Sequence, residues 1–149
     1  MSQQTGYLRF IRENLPFLGT GVLLSFLSSF GQTFFISIFG GEIREAYGLT
    51  NGDWGLIYMI GTGASAVVMV FAGGLADKFR VRSLGIVVIL LLASACLFMA
   101  FNAVAALLPF VIFALRFTGQ GMTTHVATVA MSRWFIATRG RALAVAAFG

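Results

Sequence analysis

The chain has 149 residues, of which 58% are apolar and only 10% charged, with a formal net charge of +5. Ordinary soluble domains carry about 25% charged residues, so this composition, with a mean hydropathy of +0.92, excludes a soluble globular protein and predicts an all-α integral membrane protein. The bases lie beside long apolar runs, with no aromatic and basic platform outside them; this excludes nucleic acid as a partner and leaves the lipid bilayer.

In chain order, Arg9 and Arg12 precede the first apolar run, and helix one is predicted over about residues 15–39 with Pro16 in its first turn. The loop from Gly40 to Asp53 carries Glu42, Glu45 and Asp53 against Arg44 alone. Helix two is predicted over residues 54–76. It has no charged side chain and matches the roughly 20 apolar residues a bilayer core requires. It breaks into Asp77, Lys78, Arg80 and Arg82. Helix three is predicted over residues 84–103, an uncharged turn surrounds Asn102, and helix four runs over about 107–131 with Pro109 near its start. Arg133, Arg139 and Arg141 follow. A fifth helix begins near Ala142, and residues 142–149 reach only about 12 Å of a roughly 30 Å core. Residues 1–149 thus read as one partial transmembrane domain, cut off inside its fifth helix.

The basic clusters occupy alternate loops, which places the N-terminus in the cytoplasm by the positive-inside rule. The first apolar run is too long for a signal-peptide core, and the short loops favour a bacterial plasma (inner) membrane. Cys96 is the single cysteine. It excludes an intrachain disulfide and reads as an inert thiol among apolar neighbours. No metal-ligand cluster, phosphate loop or paired carboxylates appear, so neither a metal nor a resident cofactor nor a catalytic residue is expected.

Gly73, Asp77, Lys78 and Arg82 fit a signature of Gly, three residues, Asp, Arg or Lys, one residue, Gly, Arg, and Arg or Lys. Arg80 and Val81 stand where that signature has Gly and Arg. Arg133-Trp134-Phe135, followed by Arg139-Gly140-Arg141-Ala142, provides a second match two helices later on the same side. In these features the chain resembles the N-terminal portion of a major facilitator superfamily transporter. The resemblance implies a fold of twelve helices in two related halves and secondary active transport by alternating access. This chain would supply part of the N-terminal half and would act with a missing C-terminal portion or a partner subunit. It also implies a gating role for Asp77, facing the positive end of a helix in the other half, with Lys78 and Arg82 organising the loop. The plainer reading of Asp77 pairs it with Lys78 or Arg80 at a solvated surface.

Arg116 stands out independently of any family. Helix four places its guanidinium well inside the bilayer, where a charge costs roughly 2.5–3.5 kcal/mol and usually faces a cavity or a counter-charge. No acid in helices one to four lies at that depth. Steps of 100° per residue bring Gln120 and Thr123 onto its face. Helix one offers Ser25, Ser29 and Gln32, and helix two Tyr58, Thr62 and Ser65, at similar spacing. The substrate-binding candidates are therefore Arg116, Gln32, Tyr58 and Gln120, and the cation suits a small solute such as an organic anion. A structural arginine held by carbonyls is the competing explanation.

His125, about 180° around helix four from Arg116, reads either as a hydrogen bond between helices or as a proton-coupling group; H+ is a possible coupling ion. Arg116 to Gly121 is similar to the fourth-helix motif of proton-coupled drug exporters, with Gly119 where that motif has Gln and with Gln120 and Gly121 displaced by one. Two readings of other classes remain: a non-transporting membrane subunit or truncated remnant, and a rhomboid-like protease built on Ser65 and His125.

Overall fold

The computed structural model describes residues 2–149, with side chains described from Gly6 onward. A backbone in hydrocarbon must satisfy its own amides, and the apolar runs accordingly form helices. Four are long and apolar enough to cross a membrane: Leu15–Ile38, Asn51–Lys78, Val81–Phe101 and Ala105–Trp134, hereafter spans one to four. The described residues form helices and turns without a strand, the all-α membrane architecture that the composition predicts.

Several ends differ from where hydropathy alone locates them, one of them through a polar cap. Span two starts at Asn51 rather than Trp54 because Thr50 and Asp53 form a capping box. Asp53 N–H donates to Thr50 Oγ1 at 3.1 Å, and Thr50 N–H donates to Asp53 Oδ2 at 3.0 Å. Such a cap contributes about 1 kcal/mol. The segment read as a loop from Gly40 contains a helix, Gly40–Tyr47, which ends at Gly48 with φ of 64°, a left-handed conformation that glycine adopts without a Cβ clash. Span three opens at Val81 rather than Leu84, and the last helix runs Arg139–Ala146. A helix over Ser2–Glu13, absent from the hydropathy pattern, precedes span one. Asn14 separates the two, its Nδ2 donating to Phe10 O at 2.9 Å.

Span four forms the centre of the bundle. Leu108, Val111, Ile112, Met122, Val126 and Met131 are among its fully buried side chains, whereas Val70, Phe71 and Phe101 on spans two and three are largely exposed. Lipid tails are as apolar as a protein core, so close packing rather than water exclusion must hold such helices together. One close example is the crossing of Gly31 on span one with Gly119 on span four. A Cβ added to Gly119 would lie 2.6 Å from Gly31 Cα, and one on Gly31 would lie 2.7 Å from Gly119 Cα and overlap the Leu115 carbonyl.

Both helices are irregular where they touch. The continuous helix one expected over 15–39 is instead a helix over Leu15–Ser28, a tight turn over Ser29–Gly31, an extended Gln32 with ψ of 150°, and a short helix over Thr33–Ile38. Span four widens into a π-helix over Arg116–Thr123. Thr123 Oγ1 donates to Thr118 O, five residues back, at 2.7 Å. A π turn advances each residue by less than the 100° of an α-helix. Thr123 therefore does not share the face of Arg116, as α-helical spacing predicts, but is fully buried. Span two is broken as well, at Gly73–Gly74, after which Leu75–Lys78 forms one short turn of helix.

Candidate functional site

Arg116 opens the π segment and is only 8% exposed. Its Nη1 donates to Gly31 O at 3.2 Å and to Thr33 Oγ1 at 2.9 Å. The break at Gln32 leaves the Gly31 carbonyl outside a regular helical ladder, so the guanidinium supplies a donor where the backbone ladder is interrupted. Tyr58 of span two completes the cluster. Its ring centroid lies 5.8 Å from Arg116 Cζ, within cation–π range, and its hydroxyl donates to Thr33 Oγ1 at 3.1 Å. Side chains from spans one, two and four thus converge on one hydroxyl oxygen.

The guanidinium is only partly satisfied. Nε is buried without a hydrogen-bond partner, and the described hydrogen bonds of the side chain all come from Nη1. Nε and Nη2 form one edge of the fork, an edge that can engage a carboxylate through two parallel hydrogen bonds. A hydrogen bond to a charged group contributes roughly 1.5–3 kcal/mol, so the two bonds from Nη1 can offset the insertion cost of the cation, while a buried unpaired donor costs about 1–3 kcal/mol. What this edge lacks is an acceptor.

Of the other expected site residues, Gln32 is half-buried at the break in span one, and Gln120 is exposed on the π segment. Neither hydrogen-bonds to Arg116. Thr62 and Ser65 continue the Tyr58 stripe along span two; Ser65 is buried, and Thr62 Oγ1 is buried without a partner. Thr33, absent from the periodicity argument, is the residue that joins the cluster. It lies in the apolar run Thr-Phe-Phe-Ile-Ser-Ile, where a single hydroxyl gives no periodic signal. A cavity of about 700 Å³ lies elsewhere: it is mainly apolar, and Phe30, Phe35, Phe39, Met99 and Leu115 contribute to its lining. Its size alone does not mark the chemistry, which follows the buried cation.

A second group lies farther along span four, towards its C-terminal end. The signature residue Gly73 accepts a hydrogen bond through its carbonyl from His125 Nε2, 3.0 Å away, which fixes the proton on that nitrogen and makes His125 a link between helices. Asp77 pairs with neither Lys78 nor Arg80 but with Arg133, Nη2 to Oδ1 at 3.1 Å. Side-chain exposures of 81% for Asp77 and 41% for Arg133 limit this pair to about 0–1 kcal/mol, so its consequence is orientation rather than stability. Lys78 and Arg82 are exposed and make no ion pair with a described residue. The pairing of Asp77 with Arg133 was accessible in principle, since both follow apolar runs that end on the same side. No cluster of metal-ligating side chains occurs among the described residues.

Four apolar spans joined by short turns define a multi-pass integral membrane protein. Residues 21–149 match the family model described as Major Facilitator Superfamily, and the chain belongs to that family, whose members are transporters. No curated protein and no solved structure matches it.

Proposed function

We propose that this chain contributes to secondary active transport of a small organic anion by alternating access, as part of the N-terminal half of a two-halved transporter. The N-terminus faces the cytoplasm of a bacterial inner membrane in this reading, and the missing half is a C-terminal portion or a partner subunit. The observation that carries the proposal is Arg116: a buried cation at a three-helix junction, with one hydrogen-bonding edge unfilled. Tyr58 orients the guanidinium, and Gln32 and Gln120 supply polar groups beside it. The exporter alternative fares worse on geometry. Its motif places Gln at position 119, where even a Cβ would meet the Gly31 backbone.

The test is uptake by proteoliposomes holding the native protein, with radiolabelled carboxylates, organic cations and sugars compared under imposed proton gradients. Uptake of carboxylates in preference to the others supports the reading; uptake confined to cations overturns it. A proton gradient that drives accumulation identifies H+ as the coupling ion, for which no further cofactor is needed.

Asp77, with Gly73, Lys78 and Arg82 around it, belongs to the cytoplasmic gate in this proposal. Asp77→Asn is expected to lower turnover at least about fivefold while changing substrate affinity less than about twofold, because an exposed pair stabilises little but selects an orientation. Equal turnover of variant and parent, measured as counterflow in the same vesicles, removes Asp77 from the gate.

A further inference from the structure

The outer segment of span one, Thr33–Ile38, is separated from the rest of its helix by the extended Gln32 and buries a single side chain, Ile36. On one side it is tied to its neighbours through Thr33, whose hydroxyl accepts from Arg116 Nη1 at 2.9 Å and from Tyr58 Oη at 3.1 Å. Elsewhere on the segment, Phe35 and Ile36 line the cavity of about 700 Å³ together with Phe39 just beyond it, which leaves room for displacement. A six-residue helix has little stability of its own. Its position therefore depends on Ile36, on the contact of Phe35 with Phe30 (ring centroids 5.1 Å apart), and on the bonds converging at Thr33.

We propose that Thr33 is a positioning residue that holds this segment against Arg116 and Tyr58, and that an anion engaging Arg116 releases it. The inference rests on Arg116 being the anion contact. A carboxylate on the Nε and Nη2 edge draws the fork towards itself, because a charged acceptor competes more strongly for the guanidinium than a neutral carbonyl and hydroxyl do. Nη1 then leaves Gly31 O and Thr33 Oγ1, and span one loses its fastening at the break. Occupancy of the site becomes movement of the outer segment, with no covalent change.

Hydrogen–deuterium exchange of the native protein in lipid nanodiscs, read on peptides covering residues 33–38, tests this without requiring turnover. Thr33→Val keeps the volume and removes the acceptor, and is expected to speed exchange of the segment at least about fivefold in the absence of ligand, since one of the two lost bonds is charge-assisted. Thr33→Ser is expected to match the parent. Lactate and benzoate, used as probe carboxylates, should raise exchange of the parent towards the Thr33→Val level and leave that variant unchanged. Equal exchange of Thr33→Val and parent overturns the fastening. Protection of the segment by either probe, or no change with both while they are transported, overturns its release by anions. Failure of the underlying reading looks different: neither probe is transported, and uptake of the solute that is transported is unaffected by replacing Arg116.

Discussion

Arg116→Gln is expected to reduce uptake by the complete protein at least about 100-fold, with the protein still inserted in the membrane. Glutamine keeps a hydrogen-bond donor for Gly31 O or Thr33 Oγ1 but loses the charge and the second edge of the fork, and a lost charge-assisted contact of about 3 kcal/mol corresponds to roughly two orders of magnitude. Arg116→Ala should be at least as severe. Arg116→Lys separates charge from geometry: the ammonium restores the charge but lacks the planar fork, so it should recover only a small part of the activity. The measurement is initial uptake rate normalised to the amount of protein in the membrane. Uptake by Arg116→Gln within twofold of the parent would remove this residue from the substrate site and leave it as a structural arginine held by the break in span one.

The largest effect on assembly is expected at the Gly31–Gly119 crossing. Gly119→Ala would place a methyl group 2.6 Å from Gly31 Cα and 2.7 Å from Gly31 N. These are backbone atoms that cannot rotate away, so the two helices must separate. Overpacking typically costs about 1–3 kcal/mol even where side chains can adjust, and this substitution should reach or exceed the top of that range. Gly31→Ala should be equally damaging because its Cβ overlaps the Leu115 carbonyl. Thermal melting in detergent, followed by size-exclusion profile, checks both. A melting temperature unchanged in either variant would show that the crossing tolerates expansion.

Much of the fold is legible in the sequence for a simple reason. Hydrocarbon imposes one requirement on every residue of a span, and that requirement is written as continuous apolar runs between polar ends. Arg116 is legible on the same grounds, since a charge inside such a run is conspicuous. The departures arise from tertiary contact. The break at Gln32 and the widened turn after Arg116 coincide with a close approach of two glycines 88 residues apart in number (31 and 119), and no local propensity encodes that meeting. A helical wheel with a fixed 100° step consequently assigns Thr123 to the Arg116 face, where the observed π segment does not put it. Thr33 is hidden differently: a lone hydroxyl in an apolar run gains significance only when Arg116 and Tyr58 arrive from other helices. His125 is legible as a polar residue on a packed helix, but its partner is a backbone carbonyl at Gly73, and carbonyls leave no mark in a sequence.

The widened turn in span four also sets the rotational phase between the two ends of that helix. At its first residue, Arg116 meets span one; beyond its last, His125 and Arg133 meet Gly73 and Asp77. A π bulge takes up one additional residue within an otherwise α-helical stretch, so rewinding Arg116–Thr123 as a regular α-helix with every residue kept would turn the part of span four that follows it by roughly 100° relative to the part before it. The histidine and the arginine would then point away from the loop they now hold, although every side chain named in either cluster would still be present. The directions in which span four presents the buried cation and the groups that hold the signature loop thus depend on the winding of this segment as well as on the identity of its residues.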